Sequence, residues 1–224
     1  MRDKIDGAAL VAAIARVAKR MEQLRDYLTG LDAAVGDGDL GITMSKGAAA
    51  VGEHLATDSP GDDLGRFLTR MGMVFSRAAP STMGTLIATA LMRAGKEANG
   101  LASLDGEALA RMLRAADSGV QERGKASPGD KTIVDALHPA AEAFAEAIGR
   151  GDGLEAAAHA MLNAAREGRD AVIPLQSKVG RAAWVGERTI GRPDPGTVLL
   201  VQMIEAALGA EHSDPGSTLQ RSQS

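Results

Sequence analysis

A chain of 224 residues that is 45% hydrophobic has the apolar surface for one good-sized core or two small ones, which excludes a disordered polypeptide. Its formal net charge of −4 gives no basic footprint for nucleic acid or an anionic membrane, and without Cys it has neither a disulfide framework nor a thiolate site. Aromatic residues make up only 2%, so the core has to be built from Ala, Leu, Val, Ile and Met, mostly good helix formers. No apolar run is long enough to span a membrane and the opening MRDKIDG does not read as a signal peptide, so a cytoplasmic protein is expected.

Residues 5–28 predict the first helix. Leu10, Ile14, Val17, Met21, Leu24 and Leu28 recur at three- and four-residue spacings on one apolar face, with Gly30 as the stop. The stretch LDAAVGDGDLGITMSKG follows, at residues 31–47. Its three carboxylates, Asp32, Asp37 and Asp39, fall within eight residues, among Gly36, Gly38 and Gly41. Carboxylates this close repel and raise one another's pKa unless something neutralises them, and a hard divalent cation with oxygen ligands is the simplest candidate. An EF-hand loop needs Gly at its sixth position and Glu at its twelfth. Counting from Asp37 gives Ile42 and Ala48, and counting from Asp32 gives Asp37 and Thr43, so that pattern fails. Mg²⁺, which takes one or two carboxylates plus substrate phosphates, fits better; a solvated turn with acidic caps is the plain alternative.

A second helix is expected over 40–55, a turn at 57–61 (TDSPG), and a third helix over 64–78 with Leu64, Phe67, Leu68, Met71, Val74 and Phe75 on one side. Residues 79–84 (APSTMG) interrupt the pattern before a fourth helix at 85–98. That junction puts Ser81 and Thr82 at a helix N-terminus, as an anion site or as an ordinary N-cap. The fifth helix, 105–122, turns Leu109, Met112, Leu113 and Val120 inward, and RGKASPGDK (123–131) is a polar loop. GVQERGKA approaches a P-loop but lacks the hydroxyl after Lys125 and follows a helix, so it is not one. Arg123, Lys125 and Lys131 either complement phosphate charge or serve as helix-end cations.

The sixth and seventh helices are expected at 133–148 and 152–168, the latter rich in Ala. Residues 171–195 have no clear period and lead into KVGRAAWVGERTIGRPDPG, with Gly180, Gly186, Gly191 and Gly196 and with Arg181, Arg188 and Arg192. A long irregular segment in a compact domain is usually functional or disordered, and the sole Trp, at 184, argues for order. An arginine at the phosphate end of a nucleotide stabilises charge developing during transfer; Arg181 and Arg188 are better placed for this than Arg192. Asp194, Pro195 and Gly196 lead into the last helix, 197–208, and the sequence beyond Ala210 reads as a disordered tail. The four histidines show no metal-ligand spacing, and His138 has a structural role.

These eight helices, with no convincing strand, predict an all-α fold: a closed barrel or bundle of about eight antiparallel up-and-down helices in one domain, 1–210, with the tail at 211–224. In that topology alternate loops share an end. The loops at 31–41, 79–84, 123–131 and 180–196 follow helices one, three, five and seven, so they are expected to meet in one site.

Together LDAAVGDGDLGITMSKG, GTLIATALMRAGK, GKASPGDKTIVDALHPA and GRAAWVGERTIGRPDPGTVLL resemble the nucleotide-binding L subunit of dihydroxyacetone kinase, the DhaL family, over roughly residues 5–208. The resemblance implies a barrel of eight antiparallel helices that binds ADP or ATP at one end through two Mg²⁺. Asp32, Asp37 and Asp39 would be the metal ligands. Nucleotide contacts would fall on Leu40, Gly41, Ile42, Thr43, Thr82, Met83, Gly124, Ile133, Arg181, Asp194, Pro195 and Gly196, with Arg181 also catalytic. It further implies a homodimer, a separate K subunit that holds the ketose covalently, and in one version a phosphohistidine donor, the M subunit, that recharges bound ADP. Many members have His where this chain has Leu40, and a Gly-Gly-x-Ser-Gly run where it has PSTMG, so that Met83 replaces a serine. Those departures point to a second reading, a kinase subunit for another ketose such as a tetrulose. A non-catalytic nucleotide-sensing module is the reading from a different class.

Overall fold

Apolar periodicity becomes helix along nearly the whole chain. The computed structural model describes residues 4–210; the tail at 211–224 lies outside the described residues. Its elements run β1 (Ile5–Asp6), α1 (Gly7–Gln23), α2 (Arg25–Ala33), α3 (Leu40–Leu55), α4 (Leu64–Ala78), α5 (Thr82–Glu97), β2 (Ser103–Leu104), α6 (Gly106–Gly124), α7 (Val134–Gly149), α8 (Leu154–Ala171), α9 (Gly180–Val185), a 3₁₀ turn (Gly186–Thr189) and α10 (Pro195–Leu208). Among the described residues no helix is long and apolar enough to cross a membrane.

Side-chain caps set half of the ten α-helix starts among the described residues. Asp6, Asp63, Ser81, Asp105 and Asp194 each accept a first-turn N–H, which satisfies a donor that the helix itself leaves open. Two expectations fail here. The first helix is two helices: at Leu24 the backbone turns to φ −87°, ψ 4°, and its N–H reaches Arg20 O at 3.0 Å. Gly30 does not stop the second one, which continues to Ala33, because Gly30 has no left-handed φ and open space around it. A short strand pair also exists. Ile5 pairs with Leu104 and Asp6 with Ser103, antiparallel, which ties the start of the chain to the α5–α6 connection.

Each long helix packs against its neighbours in the chain, and α10 packs against α8, α7 and α1. The main core gathers Leu28, Met44, Phe67, Met71, Val134 and Leu199, and a second cluster around Leu64, Leu68, Leu104 and Met112 fills the β1–β2 end. Small residues decide how close the helices come: a Cβ on Gly65 of α4 would collide with the Gly95 carbonyl and Asn99 N beyond it. The buried face of α10 carries a carboxylate. Glu205 Oε1 accepts from Arg166 Nη2 at 2.7 Å and Glu205 Oε2 from Gln202 Nε2 at 2.9 Å, while Gln202 Oε1 accepts from Arg20 Nη2 at 2.7 Å. This network links α1, α8 and α10, and a charge buried this deeply persists only when paired. His138 is structural: its Nδ1 lies 2.8 Å from Asp117 Oδ2.

Candidate functional site

The four unusual loops meet. A cavity of about 590 Å³ is lined by residues of 32–40, 80–86, 120–134, 179–184 and 194–196, so every segment between alternate helices contributes to one site. Four long helices, α3, α5, α7 and α10, begin at its edge with Leu40, Thr82, Val134 and Pro195. Helix N-termini carry partial positive charge and unpaired N–H groups, so their convergence favours an anion. Asp39 and Ile133, ahead of α3 and α7, make no side-chain cap hydrogen bond, whereas Ser81 and Asp194 cap α5 and α10 themselves.

One wall is acidic. Asp32 lies in the last turn of α2, Asp39 precedes α3, and Asp37 lies on the turn between them; each offers a carboxylate oxygen, and the three oxygens lie within 4.8 Å of one another. Opposite oxygens around an octahedral Mg²⁺ stand roughly 4.2 Å apart, so small side-chain rotations suffice for these three to share a hard cation. Two glycines make the arrangement possible. A Cβ on Gly36 would come 2.6 Å from Asp32 Oδ1, and Gly38 takes φ +76° between the outer aspartates. Asp32 Oδ2 also accepts from Leu40 N at 3.2 Å, which ties the carboxylate to the start of α3.

Facing it, Arg181 projects from α9 and its guanidinium pairs with Asp37 across the cavity mouth. Both side chains stay substantially exposed, so the pair remains open to exchange for another ligand. At the third side α10 starts on Asp194, whose Oδ2 accepts from Thr197 N at 2.8 Å. Burial pushes the Asp194 carboxyl up to about 7; the Thr197 N–H and the Lys131 charge pull the other way, and the Asp135 charge adds to the rise. At Gly196 the chain has no side chain where a Cβ would stand 3.1 Å from both Ile133 N and Met83 Cε, so α10, α7 and α5 close on one another there. Leu86, Val120, Ala126 and Val134 give the cavity an apolar floor, and an apolar floor with charged groups at the mouth suits a ligand with a flat apolar part and a charged tail.

The sequence of residues 34–209 matches the DAK2 domain. The chain belongs to the DAK2-domain family. It is 34% identical over 180 residues to the PEP-dependent dihydroxyacetone kinase ADP-binding subunit DhaL of Escherichia coli, covering 80% of this chain and 85% of that protein. The corresponding subunit of dihydroxyacetone kinase 2 of Listeria innocua is 37% identical over 180 residues, 79% of this chain and 82% of that one. In structure the chain resembles the native dihydroxyacetone kinase of C. freundii with a TM-score of 0.65 and 26% identity, over 92% of this chain; it spans about a third (35%) of that longer chain.

Most residues implicated by the resemblance to the DhaL family do meet. Asp32, Asp37, Asp39, Leu40, Thr82, Met83, Gly124, Ile133, Arg181, Asp194, Pro195 and Gly196 all line the cavity. Gly41, Ile42 and Thr43 do not. The α3 lining ends at Leu40, and Gly41 is turned into the packing with α2, where a Cβ would overlap the Arg25 carbonyl. Of the basic residues, Arg123, Lys125, Arg188 and Arg192 lie outside the lining. Lys131 does line it, but its ammonium neither faces an open phosphate position nor ends a helix: it is buried and donates to the carbonyls of Ile173, Leu175 and Thr189. Trp184 lines the cavity yet is 92% exposed, so packing of its indole is not what orders this segment. The apolar floor left no mark in the sequence beyond helix periodicity, which does not tell a cavity wall from a core.

Proposed function

We propose that this chain is the nucleotide-binding phosphotransferase subunit of a short-chain ketose kinase, with dihydroxyacetone as the substrate. The observation that carries the reading is the pairing of the Asp32–Asp37–Asp39 cluster with Arg181 across a cavity at which four helices begin. The names of the E. coli and L. innocua relatives, ADP-binding subunits of dihydroxyacetone kinase, agree with it. In this reading the nucleotide base lies on the apolar floor around Leu86, Val120 and Val134, and the phosphates point to the acidic wall. Asp32, Asp37 and Asp39 hold two Mg²⁺, which when bound offset phosphate charge. Leu40, Thr82, Met83, Gly124, Ile133 and the Asp194, Pro195, Gly196 turn contact the nucleotide, with Gly41, Ile42 and Thr43 supporting the first turn of α3 from behind.

Arg181 leaves Asp37 for the terminal phosphate and stabilises charge as it moves. The ketose hydroxyl oxygen forms the new bond to the γ-phosphorus, the bond to the β–γ bridging oxygen breaks with ADP as the leaving group, and the hydroxyl proton passes to a group outside this chain. A separate K subunit holds the ketose, and the nucleotide is renewed in one of two ways: a phosphohistidine protein, an M subunit, rephosphorylates ADP in place, or ADP exchanges for ATP. The eight long helices form a closed barrel, with α10 between α8 and α1, and the subunit works as a homodimer within one domain.

Calorimetry of ADP binding with and without Mg²⁺, on the wild type and Asp37→Ala, tests the site. We expect Mg²⁺-dependent binding in the wild type and its loss in the variant; binding that ignores both changes ends the reading. Mixing the chain with a K subunit and either ATP or a phosphoprotein donor, against dihydroxyacetone and the tetruloses, tests the reaction. Phosphorylated sugar that requires this chain supports a catalytic subunit, whereas nucleotide binding without any turnover would make it a sensing module.

A further inference from the structure

We infer that Lys131 is a positioning residue: its ammonium holds closed the base of the loop at residues 177–189, and so sets Arg181 opposite Asp37. An ammonium has three donors and no acceptor. All three are used here by backbone carbonyls from the two ends of that loop, Ile173 O at 2.9 Å, Leu175 O at 2.8 Å and Thr189 O at 2.6 Å. The residue is 2% exposed, and among the described residues no carboxylate pairs with it directly. Burial draws its pKa below the usual lysine range, opposed by the Asp194 charge. A charge kept in such a place is bound by the carbonyls it gathers, as a metal ion would be. Lys131 takes φ 59°, a left-handed conformation that suits glycine and that a long side chain rarely adopts, so local conformation does not favour lysine here.

Other bonds run alongside. Ser177 N donates to Thr189 Oγ1 at 3.0 Å, Gly191 N to Ile173 O at 2.8 Å, and Lys178 N to Asp130 O at 3.1 Å. The two ends of the loop are thus fastened to each other and to the turn before α7, as in a compact Ω-loop. Beyond the fastening, Gly180 and Gly186 have positive φ and Arg181 and Trp184 are exposed. Thr132 and Ile133, the next two residues after Lys131, line the cavity, so the fastening lies at the cavity's edge.

The consequence for binding rests on the nucleotide reading above, but the fastening itself does not. The test uses the full chain with Lys131→Met, Arg181→Ala and the double variant, MgADP calorimetry, and the fluorescence anisotropy of Trp184, the chain's sole Trp. We expect K131M to lower Trp184 anisotropy without nucleotide. We also expect it to weaken MgADP binding roughly tenfold, the scale of one lost charge-assisted contact. In the R181A background K131M should weaken binding no further, because both changes remove one action. Unchanged anisotropy, or additive losses in the double variant, overturns the inference. If the wild type binds no ADP, the nucleotide reading falls and the anisotropy comparison alone decides the fastening. If K131M does not fold, hydrogen exchange on the wild type decides: slow amides at Ser177, Lys178 and Gly191 against fast ones over 181–188 support it, and equal rates overturn it.

Discussion

The cavity has charged groups on two walls, in contrasting environments. On one, Asp37 and Asp39 are exposed, Asp32 is half-buried, and their oxygens crowd together. On the other, Asp194 and Lys131 are buried and bound to the backbone, as is Asp135, which follows the lining residue Val134. Asp135 Oδ1 accepts from Gly129 N at 2.5 Å and its Oδ2 from Thr132 N at 2.7 Å, Asp194 caps α10, and Lys131 holds three carbonyls. The same residue types therefore do different work. Buried charges whose bonding capacity is taken up by backbone hold the chain in place, whereas exposed charges that repel one another are left for a ligand. Substitution should separate the two walls, with binding lost on the first and stability on the second.

The largest effect is expected on the acidic wall. Asp37→Ala should weaken Mg²⁺-dependent ADP binding by about 100-fold or more, since even groups behind a metal ligand are worth 10- to 100-fold. Its thermal midpoint should fall little, because an exposed carboxylate beside like charges, with one solvent-exposed ion pair to Arg181, adds little to folding. A drop in midpoint equal to that of a core variant would erase the distinction. Next comes Asp135→Asn, behind the buried wall. The amide accepts at one end only, so one of the two turn N–H groups faces an NH₂ donor, and the loss should be about 2–3 kcal/mol in urea unfolding. Unchanged stability in D135N would mean that the turn before α7 does not depend on this carboxylate.

A subtler test is pH. Asp194 binds its proton up to about pH 7 in the folded chain and only up to about 4 when unfolded. Between those values the native state holds more protons, so this group's contribution is full below about pH 4 and is lost as pH rises through about 7. Asp194→Asn keeps an acceptor for Thr197 N and removes the buried charge. Its stability should therefore depend less on pH across that window and match or exceed the wild type above it. Parallel pH profiles for the two proteins would show that Asp194 does not titrate there.

How much of this the sequence discloses follows from what makes a pattern. The spans of α3 and α4 can be read to the residue, and α6, α7 and α10 to within about two, because apolar spacing and Asp caps are local signals. The break at Leu24 stays hidden because Leu24 and Leu28 are both buried, so the apolar face runs through it. The β1–β2 pair is two residues long on each side, too short for alternation to appear. In the site, the three aspartates and Arg181 are legible through clustering and glycine context. Lys131 is not, since its partners are carbonyls that every residue carries, from positions 42 to 58 residues away.

The smallest predicted effect lies within the Arg181 loop, where the two walls' contrast recurs on a small scale. Thr189, at the base, is fully buried, accepts from Ser177 N and donates to Gly186 O at 2.7 Å. Trp184, at the tip, is 92% exposed. A large aromatic ring normally contributes by burial, at about 25 cal/mol per Å² removed from water, and a ring that buries almost nothing forgoes that contribution. Trp184→Ala should therefore shift stability by less than about 0.5 kcal/mol, and in the wild type acrylamide should quench the indole nearly as well as free tryptophan. Thr189→Val keeps the shape and removes both hydrogen bonds, leaving Ser177 N unpaired, so it should cost about 1–3 kcal/mol. If W184A proved the more damaging of the two, the loop would be held by its tip, and the fastening at its base would not be what sets Arg181 across from Asp37.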